Sequence, residues 1–294
     1  MSYFSKNLIA YIVLLVYAEN VKKYWIQALL LFLLSAGVVY WLNSQNDVLV
    51  KSIKIFPTPS PTPTPFTKYQ LPVTQRKDGY TILFVGDSMT FALGPHPFRF
   101  SQVMNENYEQ TFAIDNYSIG SISVLSLDQL ITTEGAFENN TEPAIIDRDY
   151  DILLIESFGH NPLSQFPLED GLRLQEETLD KAMIRLIDAN PDGLIVFVAT
   201  LSPDEQNYAR NTLDLSAELR LGFVKERRAY IENFIAYAKS HNIPLVNMYE
   251  MSLNEDGSVK ANLISNDNIH PSQEGIEVIQ EEIARFIIEN GYLK

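Results

Sequence analysis

The chain has 294 residues, no cysteine and a formal net charge of −15. The lack of cysteine excludes disulfides, thiolate metal sites and a cysteine nucleophile. Residues 1–77 contain eight basic and two acidic side chains, whereas residues 78–294 contain 14 basic and 35 acidic ones. We expect no nucleic-acid partner for so acidic a segment, because binding to phosphates needs clustered Lys and Arg.

The first long apolar segment runs from Tyr24 to Leu42, 19 residues without a charge. As a helix it would be about 28 Å long, close to the hydrocarbon thickness of a bilayer. Lys22 and Lys23 precede it, and the positive-inside tendency places that end in the cytoplasm. We therefore expect a single-pass, uncleaved membrane anchor with an extracytoplasmic C-terminal domain. A cleaved signal peptide and a buried core helix are the alternatives. The shorter apolar stretch 8–17 either lies in the interface or extends the same helix.

A proline-rich segment follows the anchor. Residues 57–65 read PTPSPTPTP, in which alternating proline favours polyproline II over helix or sheet. Nine such residues extend about 28 Å, so they act as a spacer or a disordered linker. The sequence thus predicts four parts: an N-terminal segment (1–23), a transmembrane helix (24–42), a linker (43–78) and a globular domain (79–294).

Beyond residue 78, strand-like and helix-like segments alternate. Five apolar segments predict strands: 80–86, 111–118, 151–159, 193–200 and 243–249. Three segments with apolar residues at helical spacing predict helices: 172–189, 216–240 and a last one from about residue 272. This alternation predicts an α/β sandwich with a mostly parallel sheet of five strands. Ligands of such sheets bind at the carboxyl ends of the strands.

Residues suited to acyl transfer follow four of the five predicted strands. In chain order these are Gly86-Asp87-Ser88, Asn116 with Gly120, Gly159-His160-Asn161, and Asp267 with His270. Because the strands are predicted to be parallel, we expect all four groups to meet at one edge of the sheet.

Together these residues could form a serine hydrolase site. The hydroxyl of Ser88 is a weak nucleophile that needs a general base, for which His270 is the candidate. Asp267 can fix the orientation of that imidazole from the same loop. Donors for an oxyanion could come from the backbone N–H of Ser88, the backbone N–H of Gly120 and the side-chain amide of Asn161.

The four groups, in this order, resemble the blocks of the SGNH hydrolases, also called the GDSL esterase/lipase family. The resemblance covers about residues 80 to 290 and implies a flavodoxin-like three-layer α/β/α sandwich. It also implies that Ser88 is the nucleophile, that Asp267 and His270 complete a triad, and that Gly120 and Asn161 are oxyanion donors. One departure is Pro162, which follows Asn161 where the family often has aspartate.

Other polar residues are assigned less specific roles. Asp87 and His160 are candidate pocket residues, while His96 and His241 are interpreted as structural. A metal site formed by Glu156, Asp267 and His270 is an alternative on residue types alone, but we expect no metal. We also expect no cofactor, because the chain lacks a P-loop, a His-Glu-x-x-His motif and a dinucleotide fingerprint.

The sequence therefore predicts a membrane-anchored, extracytoplasmic serine esterase. Its expected substrates are acetyl or short acyl esters of surface glycans or lipids. Since the resembling family also includes acyltransferases, an O-acyltransferase acting on surface polysaccharide is one alternative. A non-catalytic surface binding module on the same fold is another.

Overall fold

The structure is a computed structural model that describes residues 65–137 and 140–294. They belong to one compact unit, Thr64–Lys294. The predicted N-terminal segment, the transmembrane helix and the proline-rich stretch up to residue 64 lie outside the described residues. None of the helices within the described ranges has both the length and the apolarity needed to cross a membrane.

The centre of the domain is a parallel sheet of five strands. In chain order they are β1 (Gly79–Val85), β2 (Thr111–Asn116), β3 (Ile152–Glu156), β4 (Leu194–Ala199) and β5 (Leu245–Asn247). The spatial order is β2-β1-β3-β4-β5, and every neighbouring pair is parallel. This is the doubly wound, flavodoxin-like order, whose switch point lies between the first and third strands. The predicted fold class is thereby confirmed for the described domain.

Burial explains the composition of the strands. Every residue of β3 and β4 is buried, and both strands are almost wholly apolar. A parallel strand covered on both faces has no polar side, so its sequence does not alternate. The edge strand β2 is only partly buried and alternates more clearly. Glu156 is the exception in β3, because it is a buried acidic residue at the strand's carboxyl end.

Seven α-helices accompany the sheet in the described ranges. They are α1 (Ser88–Phe91), α2 (Phe98–Asn107), α3 (Leu127–Thr132), α4 (Leu168–Ala189), α5 (Ala217–Ser240), α6 (Met248–Met251) and α7 (Gln273–Glu289). Helix α2 packs against α7, whereas α4 packs against α3 and α5. The helices thus form two groups, as a sandwich with a central sheet requires.

The three predicted helices are present, and α4 begins four residues earlier than expected, directly after Pro167. Proline is well tolerated at a helix start because the first N–H groups have no intrahelical acceptor. Helices α2 and α3 were not predicted, and neither was a short hairpin formed by Gly135–Phe137 and Asn140–Glu142. Only Phe100 and Met104 of α2 are buried, so its sequence carries a weak apolar pattern.

The compact unit includes residues before β1. The side chain of Tyr69 is buried; its hydroxyl donates to the carbonyl of Gly193 at 3.2 Å and accepts from the N–H of Ile195 at 2.8 Å. The backbone N–H of Tyr69 donates to the carbonyl of His241 at 2.8 Å. The end of the segment assigned to the linker therefore packs against β4 and the end of α5.

Candidate active site

The turn between β1 and α1 presents Ser88. Asp87 caps α1, since its Oδ1 accepts a hydrogen bond from the N–H of Met89 at 2.8 Å. A Cβ atom on Gly86 would lie 2.5 Å from Oγ1 of Thr90 and 2.8 Å from Cβ of Glu156. Only glycine fits this position, because α1 and β3 both approach the backbone there. Ser88 is the first residue of α1 and is partly exposed.

His270 connects Ser88 to Asp267. Its Nε2 lies 2.9 Å from Oγ of Ser88, and its Nδ1 lies 2.6 Å from Oδ2 of Asp267. A carboxylate can only accept here, so Nδ1 carries the proton and Nε2 is free to accept the serine proton. The structure thus brings together three residues that the sequence places about 180 positions apart.

The loop of Asp267 holds its carboxylate with several donors. Oδ1 accepts from the hydroxyl of Ser265 at 2.6 Å and from the N–H groups of Ile269 and His270 at 2.8 and 3.0 Å. Partial burial by itself raises the pKa of Asp267, but these donors and the His270 ring hold that pKa well below its usual range. Asn268 has a positive φ of 58° between the two triad residues. The carboxylate is therefore ionised throughout the neutral range.

The loop after β2 brings Gly120 close to Ser88. The N–H of Ile119 donates to the carbonyl of Gly86 at 3.1 Å. A Cβ on Gly120 would lie 4.0 Å from the Ser88 Cβ. The amide of Asn116 donates to the carbonyls of Thr90 and Gly94 at 2.8 and 2.9 Å. Asn116, for which the sequence indicated no separate role, thus ties the β2 loop to α1.

Asn161 lies on the loop after β3 and faces the capping residue of α1. Its Nδ2 donates to Oδ2 of Asp87 at 2.7 Å. Its backbone N–H donates to the carbonyl of Phe158 at 3.1 Å, and Phe158 has a positive φ of 53°. A Cβ on Gly159 would lie 2.1 Å from Cγ1 of Ile231, so the loop packs closely on α5. One hydrogen of the Asn161 side-chain NH₂ is bonded to Asp87, and the second can be donated to another acceptor.

The structure places both candidate pocket residues beneath the surface instead of along an open pocket. Asp87 is fully buried, and burial raises its pKa. His160 is also buried, and its Nε2 lies 3.0 Å from the carbonyl of Leu201, to which it donates. Desolvation lowers the pKa of His160 to about 4, so this imidazole is neutral at pH 7. Their polar partners lie inside the protein, which explains the difference from the prediction.

Glu156 is the residue of the site that sequence reasoning did not assign correctly. Its carboxyl accepts from the hydroxyl of Ser157 at 2.6 Å and from the N–H of Asp87 at 3.4 Å. In the described ranges no three or more His, Asp or Glu side chains are placed to hold a metal ion. The alternative metal site is therefore not assembled, since Glu156 meets Asp87 and not the Asp267–His270 pair. An acidic residue ending an apolar strand was the available signal.

The other two histidines make backbone contacts. Nδ1 of His96 lies 2.9 Å from the carbonyl of Ile114, and the side chain is largely exposed. His241 follows the last residue of α5, where its Nδ1 lies 2.8 Å from the carbonyl of Tyr237 and its ring stacks on the Tyr237 ring. The contact of His241 provides a side-chain partner for a carbonyl in the last turn of α5.

Comparison with known proteins identifies relatives by structure only. No protein-family model matches the sequence, and no curated protein matches it. Among solved structures, a lipase/acylhydrolase from Enterococcus faecalis is 17% identical, with a TM-score of 0.50; the match covers 72% of this chain and 96% of that one. A gut microbial diltiazem-metabolizing enzyme is 15% identical, also with a TM-score of 0.50; the match covers 74% of this chain and 48% of that one. These matches show a shared fold, in agreement with the three-layer α/β architecture that the sequence predicts.

Proposed function

We propose that the chain is a serine esterase. The observation that carries the proposal is the continuous hydrogen-bond chain from Oγ of Ser88 through His270 to Asp267, at 2.9 and 2.6 Å. A base within hydrogen-bond reach of a hydroxyl, itself oriented by a carboxylate, is the arrangement that activates a serine. The likeness in fold to a lipase/acylhydrolase agrees with this function.

The first half of the reaction acylates the enzyme. Nε2 of His270 takes the proton of Ser88 as Oγ attacks the ester carbonyl and forms a tetrahedral oxyanion. The protonated imidazole is stabilised by Asp267 and then donates its proton to the departing alcohol. The products are the free alcohol and an acyl group bound to Oγ of Ser88. In the second half His270 deprotonates water, which attacks the acyl group; His270 then returns the proton to Oγ of Ser88 as the bond to the acyl group breaks and the carboxylic acid leaves.

Three donors are proposed for the oxyanion. The N–H of Ser88 lies in the first turn of α1, where a helix leaves N–H groups without an internal acceptor. The N–H of Gly120 comes from the loop that is tied to Gly86, and the second amide hydrogen of Asn161 completes the set. Donors held in place before the reaction stabilise the developing charge without reorganisation.

The proposed substrates are acetyl or short acyl esters of surface glycans or lipids. This part rests on the proposed location: a single-pass anchor from Tyr24 to Leu42, an N-terminus in the cytoplasm and a catalytic domain outside. The charge-free length and the preceding Lys22 and Lys23 support it. Protease accessibility of the domain in intact cells tests that location separately from the chemistry.

Ester hydrolysis by the full-length protein in detergent tests the function. p-Nitrophenyl esters of increasing acyl length are compared for the wild type, Ser88→Ala and Ser118→Ala. Ser118 is a matched control, because its hydroxyl is buried and has no partner in the described structure. We expect Ser88→Ala to lose at least ~10³-fold in kcat/KM and Ser118→Ala to stay within about threefold.

Three outcomes would change the proposal. Hydrolysis that is equally fast in the wild type and Ser88→Ala would overturn the assignment of Ser88. Acyl transfer to a sugar hydroxyl that outcompetes transfer to water would instead identify an O-acyltransferase using the same triad. The absence of any acyl-enzyme with every ester would favour a binding module.

A further inference from the structure

Glu156 lies directly beneath the turn that presents Ser88. It is the last residue of β3, the middle strand of the sheet, and only 3% of it is exposed. The missing side chain of Gly86 gives it room, since a Cβ there would lie 2.8 Å from Cβ of Glu156. It also borders a cavity of about 20 Å³ with mostly apolar walls. A carboxyl in this position is costly unless it is neutral or hydrogen-bonded.

The contacts of Glu156 lead to Asn161. The carboxyl of Glu156 accepts from the backbone N–H of Asp87 at 3.4 Å, and the side chains of both residues are buried. The Asp87 carboxyl in turn accepts from Nδ2 of Asn161 at 2.7 Å. A continuous network therefore joins the end of β3 to the amide proposed as an oxyanion donor.

Two carboxyls buried this close together bind a proton unless a cation compensates their charge. Neither group has an ion-pair partner among the Lys and Arg side chains of residues 65–137 and 140–294. Burial, followed by the proximity of Asp87, raises the pKa of Glu156 well above its usual range. Two adjacent buried carboxyls cannot both ionise, so the pair holds one proton at neutral pH.

Both carboxyls accept hydrogen bonds, so their apolar surroundings decide which one carries the proton. Asp87 accepts from the N–H of Met89 and from the amide of Asn161, and both contacts favour its ionised form. Glu156 accepts from the hydroxyl of Ser157 at 2.6 Å and lies against the apolar cavity. The apolar cavity borders Glu156 but not Asp87, and this favours the neutral, protonated form at Glu156.

We propose that Glu156 is a positioning residue for the oxyanion donor Asn161, and that it acts by donating a hydrogen bond to the Asp87 carboxylate that anchors the Asn161 amide. This inference rests on the proposed esterase function. It adds a residue outside the four sequence blocks to the catalytic arrangement. Without the Glu156 donor, the Asp87 carboxylate loses one of the contacts that fix its plane, and the Asn161 amide is held less firmly.

A double-mutant cycle tests the coupling to Asn161. The variants are Glu156→Met, which keeps the volume but removes the hydrogen bonds, and Glu156→Gln, which keeps a donor and an acceptor. Each is made in the wild-type and Asn161→Ala backgrounds, and kcat and KM are measured with p-nitrophenyl acetate. Gln175→Leu serves as a control for lost buried hydrogen bonds elsewhere, because Gln175 bonds the carbonyl of Tyr230 in α5.

The expected pattern is specific to positioning. Loss of one oxyanion donor lowers kcat by roughly 10²–10³-fold, and we expect Glu156→Met to lose roughly 10–100-fold with KM changed less than about threefold. Glu156→Gln should stay within about threefold of the wild type. In the Asn161→Ala background, Glu156→Met should cost less than about twofold more, because the donor on which it acts is already gone.

An additive cycle would overturn the inference, as would a Glu156→Gln variant that is as impaired as Glu156→Met. If Glu156→Met does not fold, the infrared difference spectrum between the wild type and Glu156→Gln at neutral pH still tests whether Glu156 is protonated. A protonated-carboxyl band in the wild type supports the inference, and its absence contradicts it. Failure of the esterase proposal would look different, since Ser88→Ala would then hydrolyse ester as fast as the wild type.

Discussion

Two carboxyl groups near Ser88, those of Asp267 and Glu156, differ in what surrounds them. Asp267 lies on a loop, is about one third exposed and accepts from three donors through Oδ1 alone. Glu156 is fully buried at a strand end beside a second carboxyl, and its pKa is shifted in the opposite direction. The donors around Asp267 lower its pKa and favour the anion, while burial and the neighbouring Asp87 raise the pKa of Glu156 and favour its protonated form. The same fold thus favours an ionised carboxyl on one side of Ser88 and a neutral carboxyl on the other.

The comparison predicts that removing the charge of Asp267 lowers kcat/KM more than the other changes considered below. In Asp267→Asn an amide replaces the anion that accepts from Nδ1 of His270, which favours the wrong imidazole tautomer and leaves the imidazolium unstabilised. We expect kcat/KM to fall by roughly 10³–10⁴-fold. Steady-state ester hydrolysis measures it, with Asp256→Asn as an exposed control whose partner is Ser258. A loss below about tenfold would mean that Asp267 does not orient the base.

Asn161→Ala should have the next largest effect. It removes one oxyanion donor but leaves the Ser88–His270–Asp267 chain intact. We expect a loss of roughly 10²–10³-fold in kcat with little change in KM. Asn190→Ala is a matched control, since that buried amide donates to the carbonyl of Tyr150 and has no proposed catalytic role. An equal effect on kcat in both variants would show that Asn161 acts only through stability.

The smallest effect concerns stability and its dependence on pH. A raised native pKa means that the folded state holds more protons than the unfolded state above about pH 4.3, the usual pKa of glutamate. Stability of the wild type then decreases as pH rises, by at most about 1.4 kcal/mol per pH unit. Glu156→Gln has no proton to lose, so its stability relative to the wild type should increase with pH.

Urea unfolding of both proteins at a series of pH values measures this difference. The other titratable groups close to the pair, His270 and Tyr208, are present in both proteins, so the difference reports on the Glu156–Asp87 pair. A difference in unfolding free energy that is constant from pH 5 to about pH 9 would contradict a proton on Glu156.

The sequence predicts the sheet and the residues of the site better than it predicts the shorter elements around them. Long apolar runs and the residues after them indicate five parallel strands, and topology then requires their carboxyl ends to meet. The meeting of Ser88 with His270 follows from that geometry. Helix α2 was missed because it buries little, and the short hairpin at residues 135–142 has no strong strand pattern.

The network beneath the site could not be predicted, because it depends on distances between strands. The sequence shows that Glu156 ends an apolar run, but not that Gly86 lets it approach Asp87. The same holds for His160, whose burial is set by α5 and by the loop containing Leu201. Charge states that result from burial need the packed structure.

Covalent labelling of the full-length protein tests the central claim most directly. A fluorophosphonate reacts with a serine hydroxyl only where a base activates the serine and N–H groups donate hydrogen bonds to the developing oxyanion. The proposed mechanism predicts one adduct per chain, mapped by peptide mass spectrometry to Ser88, and no adduct in Ser88→Ala or His270→Ala. An unlabelled wild type under conditions that label a control esterase, or an adduct at another serine, would contradict it.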